Sequence, residues 1–431
     1  MIDTNSCLMC RPPVLFAFGL LGLVGRVSGA RVSHVRSCEW APVSTDTPFI
    51  AAGEGWDVAM WNDPSKIVRI DDKVVFFATA NNAFTGPVEV YRWEAPSMAG
   101  PWSLTQTAAV LSPASPFTGV ETPDVVLDTR TGTLHMFITT YVLPIGHANH
   151  AFNFTVGYTT STDGGLTFGP VQSELTAPTG SAADWNGYIV GEPGALLMPD
   201  GELRVYFTGI GVGPTSTLQT IGLMRSTDSG VTWGQPEQVM SPSPTHYPPA
   251  AGWYGFSTPC PALHPHTGDV HLFTDVVTTT DAAYPTDTYL QQGLTHASSP
   301  TGNAGTFVQN TAPIVTNLNF TWTRREMRSP APTFDVHPVT GATTLYLFYA
   351  GDAVYTVGPA PAHARTYDIS KFGIGLMTCE LLAANSTNYT RNTAAPSSAP
   401  SGSPTTSSGS VPTPTLRALL LALGGALVLV H

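Results

Sequence analysis

The sequence predicts an all-β protein, a five-bladed β-propeller of four-stranded antiparallel blades, on three observations. The first is composition: 41 Gly and 38 Pro in 431 residues, with only 11% charged residues, favour strands and turns over solvated helices. The second is a repeat. Between residues 50 and 380 the chain returns to a polar or acidic residue with a proline, an apolar run, a turn and a second apolar run. The third is the turns themselves. Asp72, Gly132, Gly201, Gly268 and Gly341 stand between the paired runs, where a hairpin needs turn residues.

The units open at Asn62, Glu121, Gly191, Ser257 and Ser329. Their marker prolines, Pro64, Pro123, Pro193, Pro261 and Pro332, lie 59, 70, 68 and 71 residues apart, too long a period for a helical solenoid. A third strand follows in each unit, from VEVYRWEA in the first to FGIGLMTC in the last. Units one to four add a short fourth strand near Trp102, Phe168, Trp233 and Phe307. Unit five stops near Cys379, so the stretch 33–40, SHVRSCEW, is expected to supply its missing strand and close the ring. That closure would bring Cys38 beside Cys379, and a Cys38–Cys379 disulfide is expected as a clasp. Cys260 is then the odd, buried thiol.

The ends read as processing signals. Residues 1–30 carry Arg11, the apolar run Val14–Val24 and small residues at Ser28 and Ala30, the pattern of a signal peptide. Residues 31–385 hold the propeller and 386–415 a Ser/Thr/Pro-rich stalk. Residues 416–431 form a hydrophobic tail, read as a glycosylphosphatidylinositol-anchor signal or a tail-anchor helix. The expected location is the extracellular face of the plasma membrane, reached by secretion. Asn153, Asn319, Asn385 and Asn388 open glycosylation sequons that agree with export. A net charge of −12 excludes a phosphate-tracking nucleic-acid binder.

Two segments, Ser161–Phe168 and Ser226–Trp233, share the pattern S-x-D-x-G-x-T-[WF] of the Asp-box. In each, the aspartate can cap its own turn while glycine takes positive φ, so Asp163 and Asp228 are read as turn residues. Acids at the first strands are a different matter, because those strands line a propeller's channel. Asp63, Asp124 and Glu192 open three units, and neutral residues open the other two. Glycosidic cleavage needs a proton donor and a second carboxylate, and a third acid can tune the donor.

At these residues the chain resembles the five-bladed glycoside hydrolases of family 43 and the related families 32 and 68. Trp61-Asn-Asp-Pro-Ser-Lys-Ile67 is similar to their D-P-[ST]-[IV] and W-x-N-D-P-N openings. Thr122-Pro-Asp-Val-Val126 looks like the A-P-D-V segment, and Gly191-Glu-Pro-Gly194 like the E-G-P segment. The resemblance implies Asp63 as base, Asp124 as the acid that tunes the donor, and Glu192 as general acid. It implies a glycosidase acting on oligo- or polysaccharides, expected to be inverting. Trp61, Trp185, Tyr188, Trp253 and Arg328 are the expected substrate-binding residues. No cofactor and no metal ligands are expected, a structural Ca²⁺ in the channel being the one ion the resemblance allows. The expected partner is carbohydrate, with membrane attachment through the tail and no oligomer. Two alternatives stand beside this reading: a sialidase-like hydrolase, suggested by the Asp-boxes, and a non-catalytic carbohydrate- or protein-binding propeller.

Overall fold

Runs such as KVVFFATAN and TLHMFITTY alternate badly for a helix and well for a strand buried on both faces, and strands are what they form. The computed structural model describes residues 35, 38–51, 60–81, 87–142, 154–181, 183–211, 218–243, 245–247, 252–278, 290–324, 326–352 and 372–381. The leader, stalk and hydrophobic tail, and the sequons at Asn153, Asn385 and Asn388, lie outside the described residues. Asn319 is exposed, its side-chain oxygen accepting from the Thr316 amide at 2.8 Å.

The strands fall into five consecutive antiparallel units. After β1 (Ala41–Pro42), the first holds β2 (Met60–Asn62), β3 (Val68–Ile70), β4 (Lys73–Asn81), β5 (Val88–Ala95) and β6 (Ser103–Leu104). The second holds β7 (Gly119–Asp128), β8 (Thr133–Tyr141), β9 (Thr155–Ser161) and β10 (Gln172–Thr176). The third holds β11 (Ile189–Leu197), β12 (Leu203–Ile210), β13 (Gln219–Ser226) and β14 (Glu237–Met240). The fourth holds β15 (Trp253–Leu263), β16 (Val270–Thr278), β17 (Leu290–Ser299), β18 (Val308–Gln309) and β19 (Val315–Thr316). The fifth holds β20 (Glu326–Val336), β21 (Thr343–Asp352) and β22 (Gly373–Leu381).

The fifth unit takes its fourth strand from the N-terminal segment, slightly later than the sequence suggested. Strand β1, not residues 33–40, pairs with β22, with Ala41 opposite Thr378 and Pro42 opposite Met377. Just before it, Cys38 is joined to Cys379 by a disulfide, their Cα atoms 5.8 Å apart. Cys260 is buried and unpaired.

The core lies between units rather than inside them. Phe77 and Val125 share one apolar cluster between the first and second units, and Phe137 and Val205 another between the second and third. Tyr206 and Phe256 join the third to the fourth, Phe273 and Met327 the fourth to the fifth. Trp61, Phe76 and Trp93 meet Phe348 and Ile374, so the last unit packs back on the first. Phe348 is fully buried, and truncating it to alanine should cost about 3–5 kcal/mol. This packing sets first strands of neighbouring units side by side, β7 against β11, β11 against β15 and β15 against β20.

Candidate active site

Each innermost strand is broken at the same point by a residue with positive φ followed by proline. The five pairs are Asp63-Pro64, Thr122-Pro123, Glu192-Pro193, Thr258-Pro259 and Ser329-Pro330, with φ of 45°, 53°, 52°, 48° and 55°. In the last four units the ladder slips at this point, the signature of a β-bulge. A left-handed backbone is unfavourable for these residue types and needs support from its surroundings. Proline leaves no amide in the bulge to satisfy.

The support is a repeated hydrogen bond from the preceding unit. The Thr122 amide donates to Thr79 Oγ1 at 3.0 Å, and the Glu192 amide to Thr139 Oγ1 at 2.7 Å. The Thr258 amide donates to Thr208 Oγ1 at 3.0 Å, and the Ser329 amide to Asp275 Oδ2 at 3.4 Å. Thr79, Thr139, Thr208 and Asp275 hold matching places on the second strands β4, β8, β12 and β16.

Asp63 and Glu192 occupy equivalent bends, and both are buried. Asp63 accepts from Ser329 Oγ at 2.6 Å on one oxygen and from Asn62 Nδ2 at 3.0 Å on the other. Burial lifts its pKa above the ordinary carboxylate range, opposed by the Arg328 charge and by the Ser329 and Thr122 hydroxyls. Glu192 Oε2 accepts from the Thr258 amide at 3.2 Å. Burial first, then the charges of Asp275 and Asp63, push Glu192 up to about 8, against donation from Thr208 and Thr258.

Two further carboxylates face this pair, and the sequence reading missed both. Glu121, one residue before the second bend, is 4% exposed and lines a small cavity with Glu192, Thr139, Phe154, Ile189 and Thr208. Burial, reinforced by Asp63 and Glu192, raises its pKa well above normal, with Arg328 opposing. Asp275 is fully buried and accepts from the Ser257 amide at 3.1 Å, from Ser257 Oγ, and from Thr258 Oγ1 at 3.0 Å. Glu121 had a signal: it stands beside the proline pair, as Asn62 does before Asp63. Asp275 had a fainter one, an acid where the strand endings FFAT, FIT and YFT carry threonine.

Asp124 is not part of this group. It lies two residues past the second bend, where Ser65 and Cys260 stand in their own units. Its carboxylate takes Lys66 Nζ at 2.5 Å, the Lys66 amide at 3.1 Å and the Ala195 amide at 2.6 Å. Lys66 Nζ also donates to the Ala195 carbonyl. Cys260 Sγ sits 3.7 Å from the same carboxylate, and burial together with that charge raises the thiol's pKa. The sequence registered Pro261 and Pro332 as markers, whereas the structural equivalents are Pro259 and Pro330. With that register, Thr122 rather than Asp124 matches Asp63 and Glu192.

Of the expected substrate-binding residues, Arg328 lies near enough for its charge to act on Asp63, Glu121 and Asp275. Its Nε donates to Asn62 Oδ1 at 3.3 Å and one terminal nitrogen to Gln291 Oε1 at 3.2 Å. The other terminal nitrogen is buried with no partner among the described residues. Trp61 is fully buried, edge-on to Tyr91 and Trp93 with centroids 5.6 and 5.0 Å away, so it builds the core instead of offering a face to sugar. Trp185 packs on Phe207 and over Gly209 and Gly222. Tyr188, just before β11, and Trp253, the first residue of β15, are half-buried, Trp253 edge-on to Tyr247 and packed against the apolar cluster of the third and fourth units. Among the described residues no group of three or more His, Cys, Asp or Glu side chains is arranged to hold a metal.

No family model and no curated protein matches the sequence. Solved structures do. An inulosucrase from Halalkalicoccus jeotgali bound to kestose superposes with TM-score 0.52 at 14% identity, over 81% of this chain and 92% of that one. A thermostable family-43 glycoside hydrolase gives 0.50 at 14% identity, over 79% and 92%. A GH62 hydrolase in complex with xylotriose gives 0.50 at 11% identity, over 79% and 97%. The chain has the fold of the β-propeller glycoside hydrolases.

Proposed function

We propose that the protein is a secreted, surface-anchored glycoside hydrolase that cleaves O-glycosidic bonds with Glu192 as general acid and Asp63 as general base. The observation that carries this reading is the pair of equivalent bends. They hold two buried carboxyls near enough for the Asp63 charge to act on Glu192, and give them different settings. Asp63 has an arginine and two hydroxyls favouring its ionised form. Glu192 has like charges around it, which favour its protonated form. Opposed settings of this kind separate an acid from a base.

In the inverting reaction, the Glu192 carboxyl gives its proton to the glycosidic oxygen as the bond to the anomeric carbon breaks. Asp63 takes a proton from a water that attacks that carbon from the opposite face. Glu121 takes the tuning role first assigned to Asp124, whose pairing with Lys66 suits a structural one. The unpaired Arg328 nitrogen supplies a donor to a substrate hydroxyl. Tyr188 and Trp253 offer ring faces to sugar. The reading includes export through the leader at 1–30, a lipid anchor replacing the tail at 416–431, glycans on the four sequons, and action as a monomer.

The test is hydrolysis of a panel of aryl glycosides and oligosaccharides by residues 31–385, with Asp63→Asn and Glu192→Gln alongside. Turnover that both substitutions abolish, with inversion at the anomeric carbon by NMR, supports the reading. Glycan binding without turnover, unchanged in both variants, would assign a binding propeller. Release of the full-length protein from cells by a phosphatidylinositol-specific phospholipase tests the anchor.

A further inference from the structure

The set of residues that caps four of the five bends contains its own control. Thr79, Thr139 and Thr208 each accept the amide of the next unit's bend residue through a hydroxyl. In the fourth unit the same duty falls to Asp275, which caps the Ser329 amide. A hydroxyl is sufficient for this bond in three units, so the carboxylate is not required by the fold. It brings a charge into a fully buried place, and burying a charge is costly unless hydrogen bonds or an opposite charge compensate it.

Asp275 lies close to Glu192 through a single residue. The Thr258 amide donates to Glu192 Oε2 at 3.2 Å, while the Thr258 hydroxyl donates to Asp275 Oδ2 at 3.0 Å. Asp275 is locked in that position by the Ser257 amide and hydroxyl, and Gln291 Nε2 donates to the same hydroxyl at 3.2 Å. Four donors hold the carboxylate, and none of them is a cation.

We infer that Asp275 is a positioning residue for the proton donor: fixed beside Glu192 across Thr258, its negative charge keeps the Glu192 carboxyl protonated until the substrate oxygen takes the proton. This rests on the reading of Glu192 as general acid. The charged and titratable groups facing the pair are Asp63 from the first unit, Glu121 from the second, and Arg328 from the fifth. Asp63 and Glu121 act on Glu192 in the same sense as Asp275. Arg328 favours ionised Asp275, which strengthens the effect. Burial sets the baseline, and the neighbouring charge of Asp275 is the largest electrostatic contribution after it.

The test uses Asp275→Thr, which installs the residue of three other units, and Asp275→Asn, which keeps an acceptor and removes the charge. Side-chain carboxyl resonances of ¹³C-glutamate-labelled protein are titrated, with Glu192→Gln identifying the Glu192 signal. Both variants should lower the Glu192 midpoint by about one pH unit, as expected for loss of an adjacent like charge. On a turned-over substrate the alkaline limb of the kcat profile should move down by the same amount, with KM little changed. A Glu192 midpoint that stays in place in both variants overturns the inference. A midpoint that falls in a protein with no hydrolytic activity leaves Asp275 as the tuning group and removes the glycosidase reading instead.

Discussion

Asp63 and Asp124 are aspartates of two adjacent innermost strands, 6% and 3% exposed. Asp63 shares its layer with Glu121, Glu192 and Asp275, and one guanidinium, that of Arg328, acts on three of the four, Asp63, Glu121 and Asp275. Asp124, one layer further along the channel, has an ammonium and two backbone amides to itself. Burial is similar in the two layers, so burial alone does not decide what a carboxylate can do. The partners decide. A carboxylate with a dedicated cation is fixed in place, and one crowded by like charges keeps a proton available.

The sharpest way to break this comparison is activity. Glu192→Gln and Asp63→Asn should each lower kcat about 10²–10⁴-fold, the usual worth of a general acid or base. Their circular dichroism should match the parent protein. A variant at Asp124 should lose activity only in proportion to lost folded protein. If Asp124→Asn is fully folded and inactive while Asp63→Asn turns over normally, the assignment of the two layers is reversed.

Stability should divide the layers the other way. Lys66→Met strands the Asp124 carboxylate without its cation, and removing one partner of a buried pair costs about 3–5 kcal/mol. Urea unfolding would read this directly. Changing both partners, Lys66→Met with Asp124→Leu, should recover much of the loss, since no charge remains unpaired. Glu121→Gln should be neutral or stabilising, because the carboxyl it replaces is crowded by Asp63 and Glu192.

The architecture was legible in the sequence because it repeats. Five apolar hairpins with turn residues at Asp72, Gly132, Gly201, Gly268 and Gly341 leave little choice of register inside each unit. The missing strand of unit five, and with it the Cys38–Cys379 pairing, followed from counting strands. The bends of the candidate site were legible only where an acid directly precedes proline, at Asp63 and Glu192. Between units, register was not legible. Thr122-Pro123-Asp124 offers an acid after its proline, and only the bulge geometry shows that Thr122 occupies the bend. Asp275 was hard to read for a related reason, since its partners Thr258 and Ser329 stand on other strands. Trp61 was misread because an aromatic beside a site residue has the same local signature whether it faces sugar or core.

The pH dependence of folding sharpens the comparison further. Glu192 has a folded pKa of about 8 against an ordinary value of 4.5, and Asp275 about 6 against 3.8. Between those values the native state holds protons that the unfolded chain releases. The contribution of these groups is therefore complete below about pH 4 and is lost as pH rises towards 8, with a slope of up to about 1.4 kcal/mol per pH unit for each proton. Urea midpoints at pH 5 and pH 8 should show this decline, and Glu192→Gln should flatten its upper part. A wild-type decline that Glu192→Gln leaves intact would place the titrating group elsewhere.

The Asp-box turns provide the smallest effect and the opposite sign. Asp163 accepts from Ser161 Oγ at 2.7 Å, from the Thr167 amide at 3.1 Å and from Thr167 Oγ1 at 2.6 Å. Asp228 repeats the pattern with Ser226 and Thr232 at 2.7, 2.8 and 2.5 Å. For Asp163 the Thr167 and Ser161 bonds outweigh a burial effect that pulls upward, and for Asp228 the Thr232 bonds lead, leaving each at about 2. Their contribution is present above the ordinary value of 3.8 and is lost as pH falls towards 2. Both turns face solvent, so screening keeps the gain small. Asp163→Ala with Asp228→Ala should lower Tm by about 2–4 °C near pH 7 and by less near pH 3. Hydrolysis per folded molecule should be unchanged. A drop in kcat without a drop in Tm would mean that these rim carboxylates, saturated as they are with local donors, still act on the channel.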